Sequence, residues 1–269
     1  MMPTSKAVIE TTEVDSKKST VLQDVVVKER QVNFMFNGQE LGVVDGVQDS
    51  LRELALGFLF SEGYLNKKNE LKRVFLSDNS SLLMVETLAY EPKEEDFQKP
   101  IGTSSKSRWP SLRPEGYEET LNPVVSDLVV TYEQVISLNL QFDYLSVLLA
   151  STRATHGAAL CTNSKVIRLF EDIGRFNAMD KVVGFTFFEE IPPSDKLVFF
   201  SGRVSSGIIT KLLRIGVPMI ISRDYPTDQA IELARDKGVT IIGAVKEDKF
   251  IIYTYGERVD LGSKAKTCF

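Results

Sequence analysis

Four short, mainly apolar runs in the second half of the chain, separated by stretches of helical periodicity, limit the folds open to it. They cover residues 166–170, 197–200, 217–222 and 239–245. After the first run, Ala178, Met179, Val182, Val183 and Phe185 recur at helical spacing. After the second come Ile208, Ile209, Leu212 and Leu213, with Gly216 as a stop, and Pro226-Thr227 opens a third helix that Gly238 ends. Residues 155–161 read as a further strand, 250–255 as a closing one, and 131–140 and 143–150 as helices. Short apolar strands alternating with helices mean βαβ units around a buried sheet. The spacing predicts an α/β fold with a mostly parallel sheet over residues 124–269.

The first half has a different grammar. Residues 25–36 are rich in β-formers and are followed by Asn37-Gly38, a strong hairpin signal, with a return strand over 41–44. Ser50-Leu51-Arg52-Glu53 matches a capping box in front of a helix carrying Leu51, Leu54, Ala55, Phe58 and Leu59, and Gly63 is placed to stop it. Strands are expected at 74–77 and 82–87. Residues 20–123 therefore form a smaller α+β unit that ends in a long aperiodic loop over 91–123, the length of which points to function or disorder. Trp109, the single tryptophan, lies in that loop, as a binding anchor or as a pin to the domain. Residues 1–19 are polar, lack the apolar core of a signal peptide, and are expected to be a disordered tail.

Composition narrows the function. A net charge of −5 argues against nonspecific nucleic-acid binding. No apolar stretch is long enough for a transmembrane helix. The two cysteines, Cys161 and Cys268, make no metal-ligand spacing and suit a reducing, cytoplasmic setting, and one histidine, His156, excludes a multi-histidine metal site.

Chemistry concentrates at the ends of the apolar runs. The first ends in Glu171-Asp172-Ile173-Gly174-Arg175-Phe176-Asn177-Ala178-Met179-Asp180-Lys181, the second in Ser201-Gly202-Arg203-Val204-Ser205-Ser206, the third in Ser222-Arg223-Asp224. Ligands of open α/β sheets sit beyond the carboxyl ends of strands, and helix N-termini favour anions. Arginine, serine and glycine there suit an anionic, phosphate-bearing ligand. The plainer alternative is an ordinary helix cap, with Asp172 satisfying free N–H groups and Arg175 and Lys181 solvated. Six polar groups on one turn favour a site. His156, flanked by Thr155 and Gly157, suits a base or hydrogen-bond donor at the pocket wall. Cys161, inside an apolar run, reads as buried.

Taken together, 155–159, 171–182, 201–206 and the helix 54–63 resemble the FdhD family, the formate dehydrogenase accessory sulfurtransferases. Residues 226–234 and 241–243 extend the likeness, which spans about 20–258. The resemblance implies a C-terminal domain of the cytidine-deaminase fold, a smaller N-terminal domain and a homodimer. It implies binding of the bis(molybdopterin guanine dinucleotide) form of molybdenum cofactor, with sulfur passed to it from a cysteine desulfurase for formate dehydrogenase. By resemblance, Ala244, Val245, Lys246, Glu247, Asp248 and Lys249 fall on a cofactor-binding stretch. That joins His156, Glu171, Asp172, Gly174, Arg175, Asn177, Asp180, Lys181, Ser201, Gly202, Arg203, Ser205 and Ser206 as the expected cofactor contacts, with no protein-bound metal.

Two departures bear on mechanism. The family's Cys-x-x-Cys loop falls on Ser105, Lys106 and Trp109, and no cysteine stands within a residue or two. A persulfide needs a thiolate, which leaves Cys268 as the candidate thiol. Phe176 also stands where the family commonly has histidine. The competing reading is a non-catalytic cofactor carrier. A zinc deaminase is excluded by the same residues, since that chemistry needs several cysteines and a histidine or cysteine around the metal.

Overall fold

The computed structural model describes residues 5–88 and 121–262. Its larger sheet has six strands: β8 (His156–Cys161), β9 (Val166–Asp172), β10 (Leu197–Phe200), β11 (Met219–Ser222), β12 (Thr240–Gly243) and β13 (Ile251–Ile252). Their spatial order is β13-β12-β11-β10-β8-β9. Helices α4 (Arg175–Phe188), α5 (Ser206–Ile215) and α6 (Asp228–Lys237) cover one face, and α2 (Tyr132–Leu145) covers the other. Strand alternation sorts the core accordingly. Ala158, Leu160, Val198, Phe200, Ile220 and Ile241 pack towards α4–α6, whereas Ala159, Cys161, Phe199, Ile221 and Ile242 pack towards α2.

The sheet is mixed, not mostly parallel. Strands β10, β11 and β12 pair in parallel, but β8 is antiparallel to both β9 and β10, and β13 is antiparallel to β12. The cause is loop length. Residues 162–165 are too few for a crossover, so β8 and β9 form a hairpin. Helix α4 then carries the chain from β9 across β8 to β10, which runs in the same direction as β9. The carboxyl ends of β9, β10, β11 and β12 thus share one edge with the amino end of β8.

The smaller sheet, of order β4-β3-β6-β5, contains β3 (Arg30–Phe36), β4 (Gln39–Gly46), β5 (Leu71–Leu76) and β6 (Leu82–Thr87), and packs on α1 (Leu51–Ser61). Asn37 and Gly38 turn the β3–β4 hairpin, both with positive φ. The expected Ser50 box does not form: Ser50 has φ 55° and makes no side-chain cap. Thr131 and Gln134 do form a reciprocal box at the start of α2, which runs to Leu145, and a short α3 (Val147–Thr152) follows after a break at Ser146. The expected disordered tail is corrected in part. Lys6–Val14 is a strand, β1, paired antiparallel with β2 (Ser19–Val27), because Ala7, Val8 and Ile9 face Val26, Val25 and Asp24 across the hairpin. Most of the long loop expected over 91–123, with Trp109, lies outside the described residues.

The two sheets are tied together where α1 crosses α4. A Cβ on Gly57 would lie 1.8 Å from the Asp180 carbonyl oxygen, and one on Gly184 would lie 1.9 Å from that of Glu53. The helices therefore touch backbone to backbone. Gly57→Ala or Gly184→Ala is expected to destabilise the protein by about 3 kcal/mol or more, read as a lowered urea midpoint. An unchanged midpoint would refute the crossing.

Candidate anion site at the strand ends

The turn after β9 is built around Asp172, which is fully buried. Its carboxylate accepts hydrogen bonds from Lys181 Nζ (2.7 Å), Asn177 Nδ2 (2.9 Å), the Gly174 N–H (3.0 Å) and the Val47 N–H (3.3 Å). Lys181 Nζ also reaches the Glu171 carbonyl at 3.0 Å, and Asn177 Nδ2 reaches that of Asp45 at 3.0 Å. Asp172, Asn177 and Lys181 thus form a closed network that fixes the turn and clamps the end of β4 to it. One turn deeper, Asp180 accepts from Lys211 Nζ (2.5 Å) and Ser61 Oγ (3.3 Å), between α1, α4 and α5. Glu171 points to the opposite face of β9, where it accepts the Leu148 and Leu149 N–H groups at 2.9 and 2.6 Å. These acidic and amide groups support the turn with their side chains engaged in the fold.

The strand-end edge itself gathers His156, Arg175, Arg203, Ser205 and Asp224. His156 is paired in register with Asp172, and the position of a Cβ on Gly202 lies 3.1 Å from its Nδ1, so glycine there leaves room for the imidazole. Burial, and next the neighbouring Arg175 guanidinium, push the His156 pKa below its usual value, against the carboxylates of Asp224 and Asp172, so the ring is neutral at pH 7. Burial and then repulsion from Arg203 likewise lower the Arg175 pKa. Arg175 Nε and Ser205 Oγ are buried without a hydrogen-bond partner, as is the Thr155 hydroxyl beside His156. Ser205 is the N-cap residue of α5 yet makes no side-chain cap, and Gly174 at the head of α4 has no side chain to offer. Two neighbouring helix N-termini, two arginines and unpaired donors fit a multiply charged anion such as a diphosphate.

Ser201 and Ser222 have a bracing role. The Gly157 N–H donates to Ser201 Oγ at 2.9 Å, and Ser222 Oγ donates to the Gly202 carbonyl at 2.8 Å. Arg223 turns away from the edge, bonding Asn139 and Asp143 and stacking over Phe142. Ala244 and Val245 join the edge through N–H bonds to the Asp224 and Ser222 carbonyls. Lys246, Glu247, Asp248 and Lys249 are exposed and lean on α2, through Asn139 Nδ2 to the Lys246 carbonyl and the Tyr132 hydroxyl to the Asp248 carbonyl. Phe176 packs beside Gly207 at the head of α5. Ser105, Lys106, Trp109 and Cys268 lie outside the described residues. Sequence reasoning missed Asp224 as a site residue and Tyr225 altogether. Their signal was position: they follow β11 on the same edge.

The fold and edge define an α/β protein with a candidate anion site at the heads of paired helices. The FdhD/NarQ family matches residues 27–260, so the chain belongs to that family. The sulfur carrier protein FdhD of Bacillus licheniformis is 32% identical over 238 residues, covering 88% of this chain and 90% of its own. That of Staphylococcus aureus strain MRSA252 is 32% identical over 243 residues, covering 88% and 89%. The fold matches the crystal structure of a formate dehydrogenase accessory protein from Desulfotalea psychrophila with a TM-score of 0.77 at 21% identity, over 94% of this chain and 99% of that one. Among the described residues no helix is long and apolar enough to cross a membrane, and no cluster of metal-ligating side chains occurs.

Desolvation raises the pKa of Asp180 from 3.8 to about 6, against Lys211. The folded state then holds a proton that the unfolded chain releases. That stabilisation is complete below pH 3.8 and is lost as pH rises to about 6. Compared with Asp180→Asn, the wild-type urea midpoint should fall over that window, by up to about 3 kcal/mol in stability. Parallel pH profiles for the two proteins would contradict the burial argument.

Proposed function

We propose that this chain serves formate dehydrogenase maturation and binds the bis(molybdopterin guanine dinucleotide) form of molybdenum cofactor as its cargo. The observation that carries this reading is the pair of buried, unpartnered groups Arg175 Nε and Ser205 Oγ beside a neutral His156. An unmet buried donor costs about 1–3 kcal/mol, and the phosphates of a guanine dinucleotide meet these groups with charge-assisted bonds. The relatives named sulfur carrier proteins support the same role. On this reading the protein works in the cytoplasm as a homodimer, with a cysteine desulfurase and formate dehydrogenase as partners. Its C-terminal unit belongs to the cytidine-deaminase type.

The chain's own residues bind and orient the cargo. Arg175 and Arg203 hold phosphate oxygens, the heads of α4 and α5 add N–H donors, and the Asp172 network keeps both helix heads in place. Removing Arg175 or Arg203 by alanine substitution should weaken GDP, a probe for one arm of the cofactor, by about 1.5–3 kcal/mol each in calorimetry. Titrations indistinguishable from wild type would contradict the assignment.

A second reading, a carrier without sulfur chemistry of its own, is favoured by the thiols. Cys161 is fully buried, and desolvation pushes its thiol up to about 12. It holds almost no thiolate at neutral pH. Residues 102–109 contain no cysteine. Any persulfide should therefore map to Cys268 after incubation with a cysteine desulfurase and cysteine, read by peptide mass spectrometry. Sulfur on Cys268, abolished by Cys268→Ser, establishes the transferase. None at either position establishes the carrier, and sulfur on Cys161 contradicts its burial.

A further inference from the structure

The strand-end edge carries a carboxylate that the phosphate-binding cluster does not need. Asp224 follows β11, and its backbone is held on both sides. Its N–H donates to Ser222 Oγ at 3.1 Å, and its carbonyl accepts the Ala244 N–H at 3.1 Å. Ser222 is in turn anchored to the Gly202 carbonyl. The loop is also tightly packed, since a Cβ on Gly243 would lie 3.0 Å from the Tyr253 ring and 3.2 Å from the Asp224 carbonyl oxygen. One carboxylate oxygen accepts the Tyr225 N–H at 2.8 Å. Neither oxygen forms an ion pair with a described lysine or arginine, although Asp224 acts electrostatically on both His156 and Arg175. Next to it the Tyr225 side chain is half exposed.

A rigid, accessible carboxylate beside an exposed aromatic ring is out of place in a site for phosphate alone. It repels phosphate. It fits a ligand that has an anionic part for the arginines and a planar part edged with hydrogen-bond donors. A carboxylate only accepts. Guanine presents two adjacent donors, N1–H and the N2 amine. Adenine presents an acceptor at N1 and a bare C–H at C2, its amine lying on the other side at C6, and xanthine replaces the guanine amine by a carbonyl.

We propose that Asp224 reads the guanine base, accepting from N1–H and the N2 amine, while Tyr225 supplies the stacking surface. This rests on the cofactor-binding reading above and names the residue that sets base specificity within it. A site built to receive donors rejects an analogue that presents acceptors, because the carboxylate is then left facing a lone pair. Stacking on Tyr225 is indifferent to which base is bound.

The test is calorimetric titration of the full chain with GDP, ADP and xanthosine diphosphate, for wild type, Asp224→Asn, Tyr225→Ala and Tyr225→Phe, with melting curves to confirm folding. Wild type should favour GDP over the other two by about tenfold or more. Asp224→Asn should reverse the order to xanthosine diphosphate over GDP, since the Asn carbonyl accepts N1–H while its amide donates to the xanthine carbonyl. Tyr225→Ala should weaken all three alike, and Tyr225→Phe should keep wild-type binding. GDP binding without discrimination, or an unchanged preference in Asp224→Asn, overturns the assignment and leaves the cofactor-binding reading standing. No binding of any nucleotide by wild type overturns both.

Discussion

The structure depends on a contact with no side chain in it. At the crossing of α1 and α4, Gly57 and Gly184 bring backbone against backbone, with no room for a single methyl group. That contact sets the axis of α4, and α4 begins at the turn that matters. A helix held this closely cannot slide to suit a ligand. Two buried ion pairs, Asp172 with Lys181 and Asp180 with Lys211, then lock its rotation against β9 and α5. Buried pairs of this kind add little net stability, but removing one partner costs about 3–5 kcal/mol. Their contribution here is register: they decide where Gly174 and Arg175 stand.

From that fixed frame the chemistry of the edge follows. The heads of α4 and α5 lie side by side, neither with a side-chain cap. Burial, and after it repulsion from the exposed Arg203, lowers the Arg175 pKa. On the proposed function phosphate oxygens meet these groups, and the cost of their unmet hydrogen bonds is returned on binding.

Much of this was legible in the sequence. The apolar runs marked the places of β9 to β12, Asn37-Gly38 marked the β3–β4 hairpin, and the periodicity from residue 131 marked the start of α2. Strand direction was harder, because an apolar run reads the same in either sense. The signal lay in the brevity of residues 162–165. Alternation along strands held further information. Phe170 and Asp172 share a face of β9, so Asp172 had to point under α4, and continuing the alternation of β11 one residue past Ser222 puts Arg223 on the side of Ile221, towards α2. Residue types alone grouped Asp172, Asn177 and Lys181 with the ligand groups, whereas the fold closes them on one another. The Lys6–Val14 strand was hidden by its threonines and glutamates, which suit a tail as well as a hairpin.

On the proposed function a nucleotide site stands at the heads of α4 and α5, in a chain whose described thiol, Cys161, is buried. Arg175 Nε and Ser205 Oγ, which have no partner in the fold, are the atoms that the diphosphate of a guanine nucleotide would complete. A crystal structure of the protein with GDP tests this directly. The account predicts phosphate oxygens within hydrogen-bonding distance of both atoms, between the heads of α4 and α5. A nucleotide bound elsewhere, with both atoms still unpartnered, would contradict it.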